Sequence, residues 1–197
     1  MEDSILEKIK IDKARGFNTE VKEFIAKLLE NLYISLSPEG KKILEENLEE
    51  IVLGTMPPYF SSDVGAYVPG EKAVYISSNV LFSRDPIQIA EVLFHELGHA
   101  ILEEEILKHI PRAYENIFLH AIYSQRAADC LIVYAIGGHN IFNDNESYSL
   151  KRFCKKFKVV IEKIVINPEE FMRRNLEIIK EYEKRWNVQY SRNKTRI

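Results

Sequence analysis

The chain has 197 residues, of which 46% are hydrophobic and 29% charged, so it can bury the core of one domain (residues 1–197) and is not a disordered chain. Its 8 Gly, 7 Pro and 2 Cys exclude collagen-like, linker-rich and disulfide-scaffold classes, and no apolar run reaches the ~18–20 residues that cross a bilayer, so we expect no membrane partner. The net charge of −3 is unevenly distributed, because residues 151–197 hold 14 Lys+Arg against 6 Asp+Glu.

The N-terminal sequence MEDSILEKIK is acidic and amphipathic and lacks the apolar core of a signal peptide, so we expect a soluble, cytoplasmic protein in a reducing compartment. In the residues that follow, apolar side chains recur at helical spacing. A first helix is capped at Asn18 or Thr19, and a second, with Ser37 as its N-cap, continues through Val52. Residues 1–55 are therefore predicted to be N-terminal helices.

The helical pattern ends at Met56-Pro57-Pro58, because proline removes a backbone donor and clashes with the preceding turn. Residues 65–77 then indicate two short strands around a Pro69-Gly70 turn. Residues 73–77 are the stronger strand by composition.

Two long helices follow the strands. Asp85 is a good N-cap, with Pro at the first helical position, for a helix that we expect to continue until Pro111. The second helix is predicted from about Arg112 to a stop at Gly137-Gly138. These strands and helices make up a predicted core over residues 56–138.

Residues 139–197 are predicted to be a basic C-terminal region. A polar loop over 140–147 precedes two helices, of which the last begins at Asn167-Pro168. The basic side chains either neutralise the acidic remainder of the chain or contact nucleic acid or an acidic partner. We favour neutralisation, since no nucleic-acid motif accompanies the charge.

His95-Glu96-Leu97-Gly98-His99 fits the pattern H-E-x-x-H and lies on the first long helix. Residues i and i+4 share a helix face, so the imidazoles of His95 and His99 can bind one divalent metal ion, for which Zn2+ is the expected choice. Glu96 can reach a metal-activated water, act as its general base and return the proton to the leaving amine. The flanking residues are apolar, and burying these polar groups without a metal would be costly.

The sequence EVLFHELGHAIL resembles the active-site helix of zincin metallopeptidases. The order of strand, HELGH helix and a second helix carrying Gln125-Arg126-Ala127-Ala128-Asp129 resembles the compact gluzincins of the ImmA/IrrE type over residues 64–137. In that family the second helix reads E-x-x-A-[ND]; its Glu is the third metal ligand, and the residue four positions later supports the site. Here Gln125 occupies the ligand position and Asp129 the supporting one.

The identity of the third metal ligand is open at this stage. Gln125 can coordinate through its carbonyl oxygen, but a neutral amide is a weaker ligand than a carboxylate. His120 and Asp129 are the alternatives; Asp129 also fits a carboxylate that accepts a hydrogen bond from a ligand histidine. Glu105 cannot reach the metal if the helix is continuous, and the run Glu103-Glu104-Glu105 is predicted to be a solvated face.

Two further features have competing interpretations. Zincins commonly bind extended peptide along an edge strand, and residues 73–77 are either that edge or an ordinary buried strand. Cys130 and Cys154 are expected to be structural thiols rather than metal ligands.

The resemblance implies an α+β, mostly helical zincin-like fold with a small β-sheet packed against the H-E-x-x-H helix. It implies a zinc-dependent metallopeptidase that cleaves peptide bonds of a protein substrate, with regulatory proteins among the candidate substrates. His95, His99 and Gln125 would hold the metal, and Glu96 would be the catalytic base. The alternative is a weakly active or inactive zincin-like module that binds a partner protein, a role that the neutral Gln125 favours.

Overall fold

Helices dominate the described part of the chain, and a small mixed sheet packs against them. The computed structural model describes residues 5, 10–11, 19–137 and 144–194. The helices are α1 (Thr19–Ser35), α2 (Pro38–Asn47), α3 (Ser78–Ser83), α4 (Pro86–Ile101), α5 (Glu103–Leu107), α6 (Ile117–Ile136), α7 (Asp144–Lys156), α8 (Lys158–Ile164) and α9 (Pro168–Lys194). The strands are β1 (Lys10–Ile11), β2 (Glu50–Leu53), β3 (Gly65–Val68) and β4 (Ala73–Ile76). The predicted α+β class is confirmed.

The sheet has the strand order β1-β2-β4-β3. Strand β2 is parallel to both β1 and β4, whereas β3 and β4 form the antiparallel hairpin that the sequence predicts. The expectation that the second N-terminal helix continues through Val52 is wrong. Helix α2 ends at Asn47, Leu48 is extended, and β2 follows. A short apolar run such as Ile51-Val52 fits a buried strand as well as a helix. Here the segment is a strand because β1 pairs with it on one side and β4 on the other.

Strand β3, not β4, lies at the edge of the sheet. The interpretation of residues 73–77 as a peptide-binding edge is therefore wrong, because β4 is paired with β2 on one side and β3 on the other. Asn47 fixes the position of β3, since its carbonyl accepts a hydrogen bond from the Tyr67 hydroxyl at 2.9 Å. The Asn47 side-chain amide in turn donates to the carbonyl of Ala100 on α4 at 3.1 Å, which connects the edge strand to the helix that carries the H-E-x-x-H motif.

Helix α4 begins as predicted, with the Asp85 carboxylate accepting hydrogen bonds from the backbone N–H groups of Ile87 and Gln88. It does not continue to Pro111. The helix is interrupted at the fully buried Leu102, which keeps right-handed helical backbone angles, and α5 follows at Glu103. Main-chain hydrogen bonds continue from Leu102 to Gly98 and from Ile106 to Leu102, so Glu103 lies one helical turn after His99.

Helix α6 starts later than predicted but ends as expected. Residues 111–114 form a 3-10 turn, and the Asn116 side chain caps α6 by accepting from the backbone of Leu119 at 3.0 Å. Its last turn stops at Gly137, which has a φ of 79°. The predicted loop over 140–147 is wrong for its second half, because residues 144–147 are the first turn of α7. The first half of that loop, Gly138 and Asn18 lie outside the described residues.

Three helices, rather than the predicted two, make up the C-terminal region. Cys154 of α7 is disulfide-bonded to Cys130 of α6, with a Cα–Cα distance of 5.5 Å. The expectation of free thiols is therefore wrong; residues 24 positions apart can be joined only once the fold makes their helices neighbours. Helix α9 begins at Pro168 as predicted.

Helix α9 packs against α1, α4 and α6 and closes the core. Asn175, fully buried on α9, accepts a hydrogen bond from Asn31 of α1 at 2.7 Å and donates to the carbonyl of Ala135 of α6 at 3.1 Å. One hydrophobic cluster extends from Ile5 to Trp186.

Several basic side chains of α9 are paired with acids of the same helix. Arg173 and Arg174 bind the carboxylate of Glu170, and Arg185 binds Glu181. These pairs lie within one helix, so the neutralisation of the acidic remainder of the chain by the basic region stays a prediction. Within the described residues, no helix combines the length and apolarity that crossing a bilayer requires.

Candidate metal centre

The two motif histidines converge on one point. On α4, His95 Nε2 lies 3.2 Å from His99 Nε2, and the rings stand nearly perpendicular to each other. Two nitrogens bound to one tetrahedral zinc at about 2.0–2.1 Å are held about 3.3–3.4 Å apart. The spacing of the two nitrogens therefore suits a shared metal ion.

Each histidine is oriented by a carboxylate on its other nitrogen. His95 Nδ1 lies 2.8 Å from Asp129 Oδ1 on α6, and His99 Nδ1 lies 2.6 Å from Glu103 Oε2 on α5. A carboxylate that accepts from Nδ1 holds the proton there and leaves Nε2 free to bind a metal. The predicted hydrogen bond between Asp129 and a ligand histidine is present.

Glu103 is a site residue that the sequence analysis missed. Its side chain is only 22% exposed, so the expectation of a solvated face is wrong at this position. Hydrogen bonding from His99 and Ser124 outweighs burial and lowers the pKa of the Glu103 carboxyl, which keeps it an acceptor. Its spacing of four residues from His99 was the available signal, because residues i and i+4 share a helix face.

Glu96 is buried between the histidines and the edge strand. It is 6% exposed, and among the described residues it forms with His95 and His99 the group whose ligand atoms lie within 4.8 Å of one another. Burial raises the pKa of the Glu96 carboxyl, while the two histidines and a backbone hydrogen bond from Tyr67 oppose that rise. A carboxyl with a raised pKa is a better proton acceptor at neutral pH.

Strand β3 passes very close to Glu96 at Gly65. A Cβ on Gly65 would lie 2.8 Å from Glu96 Oε1 and 2.5 Å from Val92 Cγ1. The absence of a side chain at this position allows the strand and the carboxylate to be in contact.

The acidic side chains around His95 affect its pKa. Burial lowers its pKa, but the hydrogen bond to Asp129 and the charges of Glu96 and Asp129 together raise it above the usual value. The negative surroundings favour a cation at this position, whether a proton or a metal ion.

Gln125 is brought to the same point as the two histidines. Its amide end lies 3.4 Å from His99 Nε2, and it also hydrogen-bonds His95. The two ends of an amide are assigned from their surroundings, so its carbonyl oxygen can take the position facing the metal. The residue is exposed, in contrast to the buried Glu96.

The other candidates for third ligand lie elsewhere. Asp129 Oδ1 is hydrogen-bonded to His95 Nδ1, on the side of the ring away from Nε2. His120 packs its ring 6.0 Å from that of Tyr114 and lies outside the His95-Glu96-His99 group. Glu105 forms an ion pair with Lys108 at 2.6 Å.

Open space surrounds the candidate metal centre on three sides. The central cleft, of about 460 Å³, lies between β3 and α4, and its walls include Asp63, Gly65, Tyr67, Glu96 and Gln125. The acidic cleft, of about 630 Å³, extends past His99 to Glu46 and Glu103–Glu105. The Glu91 pocket, of about 400 Å³, extends past His95 on the other side.

Comparison of the chain with protein-family models, with curated proteins and with solved structures finds no match. The chemistry proposed below rests on the motif and its geometry.

Proposed function

We propose that this protein is a zinc-dependent metallopeptidase of the compact gluzincin kind that hydrolyses peptide bonds of a protein substrate. One observation carries the proposal: His95 and His99 direct Nε2 atoms to one point, and a different carboxylate fixes each ring from behind. Such paired supporting carboxylates are typical of metal-binding histidines.

A divalent metal ion held by His95, His99 and the Gln125 carbonyl would supply an acidified water and polarise the peptide carbonyl. Glu96 accepts the proton of the attacking water and transfers it to the amine that leaves. Its position supports this role, because its carboxylate lies within 4.8 Å of the histidine nitrogens that would hold the metal.

The edge strand β3 supports the binding of an extended peptide. Its outer edge faces no other described strand, and Gly65–Val68 line the central cleft or lie next to it. An added strand would form main-chain hydrogen bonds there and place a peptide carbonyl beside Glu96. The substrate would thus be a segment of chain that is unfolded or exposed at the cleavage point.

The first test is the metal content of the purified protein. We expect near-stoichiometric zinc, lost in His95→Ala and His99→Ala and retained in the control His109→Ala, because His109 is exposed and outside the site. Gln125→Ala should lose affinity, and Gln125→Glu should gain it, because a carboxylate offsets the charge of the ion and an amide does not. Absence of zinc from the wild type after added metal would contradict the proposal.

The second test concerns cleavage. A peptide library incubated with the zinc-loaded protein should be cut by the wild type and not by Glu96→Gln, which should retain zinc and the fold. Equal cleavage by both would exclude Glu96 as the base.

A binding module without catalysis is the second candidate, and the neutral, exposed Gln125 favours it, since it leaves the charge of a dication uncompensated. This alternative predicts a partner protein that binds wild type and Glu96→Gln equally, with no cleavage by either.

The proposal includes a cytoplasmic location. The Cys130–Cys154 disulfide allows this location to be tested, because cytosolic thiols are kept reduced.

A further inference from the structure

The Glu91 pocket contains a carboxylate that the proposed reaction does not use. Glu91 lies on α4 four residues before His95, and therefore on the same face of the helix. It is 8% exposed, and its Oε1 atom is buried without a hydrogen-bond partner. A buried carboxylate oxygen without a partner is costly and calls for an explanation.

Most of the exposed surface of the Glu91 pocket is apolar, although six of its nine lining residues are polar or charged. Val64, Val92 and Ile132 supply the apolar surface, and Gln88 and Asp129 supply further oxygen acceptors. Among the described residues that line the pocket, none is Lys or Arg. The titratable side chains that line the Glu91 pocket are thus acidic, with the exception of His95.

This environment disfavours the charged form of Glu91 when the pocket holds only solvent. Burial, with a contribution from Asp85, raises the pKa of the carboxyl to about 7. A cationic group in the pocket would reverse that preference, because an opposite charge at close range favours the carboxylate.

We propose that Glu91 is a specificity-determining residue that binds the side chain of a Lys or Arg next to the scissile bond of the substrate. A long cationic side chain matches the pocket, since its methylene groups can cover the apolar walls while its charged end reaches the carboxylate. The pocket adjoins the metal centre, as both His95 and Glu96 line it, so the side chain would belong to a residue close to the cleaved bond. The inference rests on the proposed peptidase function and names its substrate class.

The test uses matched peptides that contain either Lys or norleucine, which have similar length and differ in charge. With zinc-loaded wild type, we expect the Lys peptide to be cleaved with a kcat/KM at least about 10-fold higher than the norleucine peptide, the size of effect of one charge-assisted hydrogen bond. In Glu91→Gln this ratio should fall toward one, and in Glu91→Lys it should fall below one. The control Glu39→Gln, which removes an exposed carboxylate outside the pocket, should keep the wild-type ratio.

A binding measurement separates failure of this inference from failure of the peptidase proposal. The same two peptides are titrated into Glu96→Gln and into the double variant Glu91→Gln/Glu96→Gln, with binding followed calorimetrically. Tighter binding of the Lys peptide that depends on Glu91 supports the pocket even if no cleavage is found. The inference is overturned if both peptides bind equally, or if the preference for Lys remains in the double variant. In either case zinc content and Glu96-dependent cleavage still decide the peptidase function.

Discussion

Gly98 of α4 lies directly against the carbonyl oxygen of Ala128 on α6, so close that a Cβ on Gly98 would stand 2.2 Å from that oxygen. The contact is backbone against backbone, and it brings α6 near enough for Asp129 to reach His95 and for Gln125 to reach His99. The glycine inside the H-E-x-x-H motif therefore sets the distance between the two helices of the site.

Gly98→Ala should separate these helices. Because the obstructing atoms are backbone, the added methyl group cannot be accommodated by a rotamer change, and we expect a loss of about 2 kcal/mol or more in the free energy of unfolding. Zinc affinity should fall as well, since both supporting side chains on α6 move. Denaturant unfolding and zinc titration measure the two effects. Gly70→Ala is the control, because a Cβ there meets nothing within 4 Å, and an equal loss in both variants would refute the packing argument.

The two supporting carboxylates should each contribute to metal affinity. Asp129→Asn and Glu103→Gln remove the charge that fixes His95 and His99, respectively, and we expect each to weaken zinc binding about 10–100-fold. Competition with a chromophoric chelator gives the dissociation constants. Glu105→Gln serves as control, since Glu105 pairs with Lys108 instead. Affinity unchanged in Glu103→Gln would mean that its contact with His99 has no role in binding.

Glu91 should make the metal-free protein less stable as the pH rises. Its pKa is about 7 in the folded protein against a usual value of 4.5, so folding favours the protonated form. At pH 4 the carboxyl is mostly protonated in both states and carries little penalty. Between about pH 4.5 and 7 the unfolded chain loses the proton while the folded protein retains it, so the stability falls by about 3 kcal/mol in all and is constant at higher pH.

Glu91→Gln should therefore match the wild type near pH 4 and be more stable at pH 8. Urea unfolding in the presence of a chelator, at a series of pH values, measures the difference. The exposed Glu39→Gln should show no such trend. A stability difference that is independent of pH would argue against the raised pKa.

The Cys130–Cys154 disulfide should stabilise the attachment of α7 to α6. Its sequence separation of 24 corresponds to about 3 kcal/mol of loop-closure entropy in the unfolded chain. Reduction, or the double variant Cys130→Ala/Cys154→Ala, should lower the unfolding free energy by that order. The redox state in the cell is measured by denaturing the cells directly in a maleimide, which labels every free cysteine. Complete labelling of both cysteines would mean that the bond forms only after isolation, and it would agree with a cytoplasmic location.

Local patterns were sufficient for the parts of the fold that depend on neighbours in sequence. The Asp85 cap, the hairpin around residues 69–70 and the stop at Gly137 are all as predicted, because caps and turns are determined by a few adjacent residues. The H-E-x-x-H geometry belongs to the same class, since the helix period alone places His95 and His99 together.

The errors concern contacts between distant segments. Strand β2 pairs in parallel with β4 some 20 residues away, and nothing in its own sequence distinguishes it from the end of a helix. Because β4 is paired on both sides, the edge of the sheet lies at β3 and not at β4. The disulfide was missed for the same reason, as it depends on a helix pairing that local periodicity does not encode. Glu103 is a different case, because its i,i+4 relation to His99 is local and the run of three glutamates was interpreted as a solvated face.

The contact between Gly65 and Glu96 couples two parts of the site mechanically. Because a methyl group at position 65 would collide with the carboxylate, the edge of the sheet and the base on α4 can stay in register only while that position lacks a side chain. Asn47 connects the same two elements from the other end of the strand. A peptide bound along β3 would thus lie on the strand that packs directly against the base on α4, and this one close contact would set the distance between the bond to be cleaved and Glu96.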